Sequence, residues 1–263
     1  MAVSLKIVFA NQVRRPGGFT LVEMLVVIAI IGLIAALLLP SLSAAKASAL
    51  TAGCVSNLRQ LNLGWKLYSD ENSGRLPVNI PLPGNQPAWI AGDFTEPGNL
   101  TNQTLIRQGL VFPFVRSPAI YRCPADTAMT NRAPVILSYS MNGWMGSRTM
   151  NDDQAYAAVT YNLSYRTFVR ESEISVIGAA SRLWVLSDED HSTLNDGWFL
   201  VTMDDTKPFG SFPGIRHRHG GGVIFADGHA EIIKLRDPGS YPGRQINLLN
   251  SDWLLLKQRT TEP

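Results

Sequence analysis

The chain has 263 residues, 45% of them hydrophobic, so it can bury a sizeable core in one domain or two, and its composition excludes a disordered, fibrous or disulfide-dense protein. Its formal charge is +2, but Lys6, Arg14 and Arg15 carry that excess within the first 18 residues. Without them 20 basic residues face 21 acidic ones, so charge gives no argument for a nucleic-acid partner and none is expected.

Residues 1–18 form a short basic segment that ends in Arg14-Arg15-Pro16-Gly17-Gly18. An apolar run starts at Phe19 and reaches Leu39, broken only by Thr20 and Glu23. As a helix, residues 19–39 would span about 30 Å, one hydrocarbon core, which predicts a transmembrane helix over 19–40. The competing reading is an ordinary secretory signal peptide cut after the small residues Ala47-Ser48-Ala49. Glu23 argues against it, because a carboxylate costs about 3 kcal/mol at the bilayer centre and so needs a reason to be there. The second argument is Arg14-Arg15-Pro16-Gly17-Gly18-Phe19, where positive charge and a glycine pair stop abruptly at an aromatic residue. The upstream positive charges keep the leader cytoplasmic and send the C-terminal bulk across the membrane.

The helical pattern continues over 41–74. Leu50, Cys54, Leu58, Leu61, Trp65 and Tyr68 recur at spacings of four and three, predicting one apolar face packed on a sheet, and Gly74 and Pro77 end the helix. Residues 75–263 read as an exported globular domain. Its first part, 75–135, is rich in Pro, Gly and Asn and reads as connections. Strand-like runs follow at 135–140, 183–187, 198–203 and 222–235. The last is a hairpin around Asp227-Gly228, predicted as a two-residue turn that puts Val223, Phe225, Ala230 and Ile232 on one face toward the long helix. A long helix followed by antiparallel strands, without βαβ alternation, predicts an α+β fold.

The segment from Arg14 to Glu23 resembles the prepilin-type cleavage and methylation segment shared by type IV pilins and type II secretion pseudopilins. The resemblance implies a pilin-like fold, cutting between Gly18 and Phe19 by a prepilin peptidase/methyltransferase, and N-methylation of Phe19. It implies that Glu23 faces that amine during assembly with other pilin or pseudopilin subunits, and that Pro40 sits where the family's helix often kinks. The expected location is the inner membrane, single-pass, with the domain in the periplasm or outside the cell. Pairing offsets the cost of burying either charge. His217, nine residues, then Asp227-Gly228 is similar to the H-X9-DG segment at the C-terminus of many exported proteins with such leaders, and its role is open. Asn57-Leu-Arg-Gln60, Cys123-Pro124 and Ser138-Tyr-Ser-Met-Asn142 are similar to segments of the same proteins. The alternative is a monomeric exported binding protein or metal-dependent enzyme that borrows the leader as an anchor.

Cys54 and Cys123 lack the paired spacing of a zinc site, so none is expected. An even pair on the oxidising side is a candidate disulfide worth about 4 kcal/mol, against two buried reduced thiols. Resemblance to the major pseudopilins, which use a C-terminal calcium site, makes Asp188, Asp190 and Asp196 candidate Ca²⁺ ligands, although a solvated acidic turn is the favoured reading of 187–196. His191, His217, His219 and His229, with Asp188 or Asp227, could hold a catalytic metal, but no spacing among them is diagnostic and no enzyme is expected. Beyond a structural Ca²⁺, no cofactor is expected.

Overall fold

The computed structural model describes residues 18–79, 87–96, 98–130, 132–147, 164–204, 210–237 and 250–263; residues 1–17 of the 1–18 leader lie outside them. The chain divides into two compact units, Met1–Lys46 and Ala47–Pro263. One helix, α1 (Leu21–Glu71), contributes to both. It runs through Pro40, which cannot donate to the carbonyl four residues back, and Ser41 Oγ and Ser43 Oγ each donate to a carbonyl three residues earlier at 2.8 Å.

In the first unit the large side chains from Phe19 to Leu42 are exposed along the helix, which is long and apolar enough to cross a membrane. In the second unit the expected face is buried at Cys54, Leu58, Leu61, Trp65 and Tyr68. The chain leaves the helix through a turn that closes at Gly74, whose φ of 78° suits a residue without Cβ.

Two short strands, β1 (Met129–Thr130) and β2 (Ala133–Pro134), pair with each other. The main sheet contains β3 (Tyr139–Asn142), β4 (Trp184–Asp188), β5 (Trp198–Phe199), β6 (Gly220–Phe225) and β7 (Ala230–Lys234) in the order β5-β3-β4-β6-β7. Every pairing in it is antiparallel except β3 with β5. The fold is therefore α+β, as the sequence pattern predicts. β3 starts later than the apolar run at 135 because Ile136 and Ser138 donate to the carbonyls of Leu100 and Tyr121 instead of to a strand.

The sheet is covered on both faces, with its edge strand β7 only half-buried. On one side Cys54, Leu58, Leu61 and Trp65 of α1 meet Tyr139, Met141, Val185, Leu186 and Ile224. On the other, Trp144, Trp184, Phe199, Val223 and Phe225 meet Trp253 and Leu256 of a C-terminal helix, Ser251–Gln258, which the strand-centred reading missed. Asn250 caps that helix by accepting from Trp253 N at 2.9 Å, a signal present in the sequence. The segment predicted as connections also contributes core: Trp89, Ile90, Phe94, Ile106 and Tyr121 are buried between short helical turns.

The hairpin face is corrected. Val223 pairs with Glu231 and Ile224 with Ala230, so the loop holds three residues, Ala226-Asp227-Gly228, with Gly228 at φ 97°. One more loop residue than predicted shifts the alternation by one, placing Ile224 and Ala230 toward α1 and Val223 and Phe225 on the opposite face.

Candidate functional site

Gly18 and Phe19 precede α1 without regular secondary structure, and a Cβ on Gly18 would meet nothing within 4 Å. Among the described residues, no packing contact requires the glycine. Thr20 and Glu23 form a reciprocal cap: Glu23 Oε2 accepts from Thr20 N and Thr20 Oγ1, both at 2.8 Å, while Thr20 Oγ1 accepts from Glu23 N at 3.2 Å. This is a capping box, written in the sequence as Thr-Leu-Val-Glu and overlooked there. Glu23 therefore also has a use inside its own chain.

The second unit brings together residues far apart in sequence. Cys54 on α1, Cys123 after the helical turn Pro118–Tyr121, Asp188 at the end of β4 and His217 just before β6 each offer a ligand atom, and these atoms lie within 4.8 Å of one another. Cys54, Cys123 and Asp188 are fully buried and His217 nearly so. His217 Nε2 is 3.2 Å from Cys123 Sγ and 3.8 Å from Asp188 Oδ2. Its other nitrogen, Nδ1, is 3.1 Å from Thr51 Oγ1, and that hydroxyl donates to Ala47 O at 2.9 Å. With its own proton given to the carbonyl, Thr51 Oγ1 is placed to accept from Nδ1–H, and Nε2 faces the sulfurs and the carboxylate. Tyr139 Oη donates to Cys54 Sγ at 3.2 Å.

Charge is organised around the cluster. Arg216 Nη1 pairs directly with Asp188 Oδ1, and Arg216 Nη2 lies 3.3 Å from Asp126 Oδ2. Asp126 also contacts His191 Nε2 at 2.8 Å and accepts from Ser138 Oγ at 2.5 Å. Burial opposes the Asp126 charge, yet His191, Arg216 and Ser138 hold it down at about 2. Burial raises Asp188 to about 7 against the pull of Arg216. The hydrogen bond from Cys54, joined by His217, brings Cys123 down to about 5 against burial, while the same Cys54–Cys123 contact and burial push Cys54 up.

The predicted site residues divide accordingly. Cys54 and Cys123 are neighbours, as the disulfide expectation requires, but both thiols are free. The solvated-turn reading is corrected at Asp188 and Glu189, which are fully buried, Glu189 being raised by that burial to about 8. Asp190 closes a local turn, accepting from Ser192 N at 2.9 Å and from its hydroxyl at 2.7 Å. Asp196 accepts from Trp198 N at 2.9 Å. Among the described residues these aspartates do not form a shared ligand group with Asp188. The histidines also part: His191 faces Asp126, His229 Nδ1 lies 2.7 Å from Asp227 Oδ1 beside the hairpin loop, and His217 joins Asp188. Thr51, Asp126, Tyr139 and Arg216 were missed. Thr51 lies one helical turn before Cys54, and Arg216 directly precedes His217, so their nearness to the motifs was the available signal.

A sequence profile described as the prokaryotic N-terminal methylation motif matches residues 13–39. No curated protein and no solved structure matches the chain. The chain thus carries a prepilin-type methylation motif at the head of a long apolar helix. That combination supports a type IV pilin-like or pseudopilin-like substrate of prepilin peptidase, anchored in a membrane and exported.

Proposed function

We propose that the protein is a structural pilin or pseudopilin subunit. Prepilin peptidase cuts between Gly18 and Phe19, methylates the new amine on Phe19, and the apolar half of α1 packs against its counterparts in a secretion pseudopilus or a pilus-like filament. Glu23 pairs with the Phe19 amine of a neighbouring subunit. The leader stays cytoplasmic, and the second unit lies in the periplasm or outside the cell. The observation that carries this reading is the coincidence of the methylation motif with exposed large apolar residues all along Phe19 to Leu42, a surface suited to lipid or to other helices. Intact mass spectrometry of the membrane-extracted chain is expected to show a methylated Phe19 as the first residue. A chain that begins near Leu50 would reject the reading in favour of an ordinary signal peptide.

The capping box favours a second reading in one respect. Because Thr20 already satisfies Glu23 in its own chain, a monomeric anchor would not leave that carboxylate without partners. Cross-linking in native membranes separates the two: ladders through the α1 segment support assembly, and a monomer alone supports the anchor.

A further inference from the structure

We propose that Cys54, Cys123, Asp188 and His217 form a closed structural zinc site, in which the histidine of the H-X9-DG segment is a ligand. The donor set is two sulfurs, one imidazole and one carboxylate, the mixture that suits Zn²⁺, whose structural sites are tetrahedral and filled by four protein ligands. Ordinary zinc bond lengths imply ligand-to-ligand edges of about 3.4–3.8 Å. The Cys123–His217 and His217–Asp188 distances of 3.2 and 3.8 Å already lie within a few tenths of that range. The remaining pairs, all inside 4.8 Å, need a contraction of at most about 1 Å.

Three independent features point to an ion rather than to a thiol pair packed as small hydrophobes. Among the described residues Asp188 Oδ2 is buried without a hydrogen-bond partner and lies 3.8 Å from His217 Nε2, so an acceptor is left without a hydrogen bond on the side where the ion would sit. The supporting shell is in place: Thr51 is placed to accept from the imidazole Nδ1–H, Arg216 holds the other Asp188 oxygen, and Tyr139 donates to Cys54. Charge also fits. Two thiolates and one carboxylate against Zn²⁺ leave one negative charge, which faces the Arg216 guanidinium that Asp188 shares with Asp126. A disulfide between the cysteines would use both sulfurs and leave Asp188 Oδ2 unsatisfied.

The surroundings are shaped to the same end. A Cβ on Gly222 would come within 3.1 Å of Cys54 Sγ, and one on Gly214 within 2.9 Å of Asp188 Cγ, so glycine at these positions lets β6 and its approach lie against the ligands. The segments similar to those of other exported proteins converge here. Asn57 Nδ2 donates to Arg122 O at 2.9 Å, fixing the loop that carries Cys123, and Ser138 and Tyr139 supply Asp126 and Cys54 with hydrogen bonds. With four protein ligands and near-complete burial, the site has no open position for substrate. Its role is to join α1, the 122–126 loop, the end of β4 and the start of β6, and its binding energy is folding energy. This holds whether the chain assembles or stays a monomeric anchor.

The test uses the full mature chain extracted in detergent without added metal. Elemental analysis is expected to give about one zinc per chain, with two alkylatable thiols appearing only after denaturation in chelator. The metal-free chain should regain Co²⁺ with a sulfur-to-cobalt charge-transfer band and tetrahedral d–d bands, and its Tm should lie on the order of 10 °C below that of the zinc form. His217→Ala should reduce zinc occupancy at least tenfold. Thr51→Val, which keeps side-chain shape, should weaken zinc affinity by about 10–100-fold in a folded chain. A chain lighter by two hydrogens and inert to alkylation until reduced would establish a disulfide and overturn the proposal. So would two free thiols that take up no zinc under reducing conditions, or a Tm raised by Ca²⁺ but not by Zn²⁺.

Discussion

Single side chains in this protein serve more than one master, and substitutions can separate the uses. At Glu23 the capping box needs an acceptor oxygen, whereas charge pairing with a neighbour's amine needs the negative charge. Glu23→Gln keeps the first and removes the second, while Glu23→Ala removes both. If assembly rests on charge, both variants are exported and cleaved but neither enters filaments at native expression. If Gln assembles normally and Ala does not, the cap is what matters and the pairing idea fails. Asp196 offers a different separation. Burial, aided by Asp93, raises its carboxyl to about 6 despite the hydrogen bond from Trp198 N. The folded state then keeps this proton up to about pH 6, whereas the unfolded chain releases it near pH 4. Stability therefore falls as pH rises between those values and stays lower above. At about 1.4 kcal/mol per unit the upper bound is near 3 kcal/mol, which partial exposure reduces to about 1–2 kcal/mol. Asp196→Asn keeps the acceptor and cannot ionise, so it should exceed the parent by that amount at pH 8 and match it at pH 4. Urea melts that give the same difference at both pH values would refute the assignment.

At the scale of elements, the hairpin β6–β7 shows how much one residue decides. Gly228 N donates to Phe225 O, Phe225 N donates to His229 O, and Asp227 Oδ1 accepts from His229 N, each at 2.9 Å. The loop therefore needs a residue at positive φ in third place, and Gly228→Ala should cost about 1–2 kcal/mol, or roughly 3–6 °C in Tm. A Cβ there meets only Asn62 Nδ2 at 3.7 Å, so the cost is backbone strain and not crowding. A Tm unchanged in Gly228→Ala would show that the loop can adopt another turn type. The same residue marks what the sequence revealed and what it hid. Asp-Gly announced a hairpin, but turn length follows from hydrogen bonds that the dipeptide does not specify, so the predicted grouping of Val223 and Phe225 with Ala230 and Ile232 failed. The apolar stripe of α1 was legible because the helical period exposes it. The ligand cluster was not, since Cys54, Cys123, Asp188 and His217 come from separate elements whose meeting depends on tertiary packing, and local spacing carries no trace of it. The fully buried carboxylates of Asp188 and Glu189 looked like a solvated turn because sequence cannot show that Arg216 comes to meet Asp188.

At the scale of the whole molecule, the division between Lys46 and Ala47 falls inside α1, so one helix serves a unit suited to a membrane and a unit with its own core. The buried hydrophobic residues from Cys54 to Leu256 all belong to the second unit, as do Ala47, Thr51 and the four clustered ligand atoms. A chain that starts at Ala47 therefore retains every described contact of the core and cluster, and loses only a helical segment whose large apolar side chains are exposed. It should be soluble and monomeric, and should unfold in one transition with a Tm within about 3 °C of the parent's domain transition. A chain that starts at Leu61 keeps Leu61, Trp65 and Tyr68 but removes Cys54, Asn57 and Leu58. It opens the cluster and frees the loop carrying Cys123, and it deletes buried side chains each worth about 2–5 kcal/mol. That loss approaches the whole stability of an ordinary domain, so the shorter chain should lack a cooperative transition. Equal melting of the two truncations would show that the second half of α1 is an accessory to the sheet, and would remove the physical reason for reading Cys54 through Leu61 as the part of the helix that organises the exported domain.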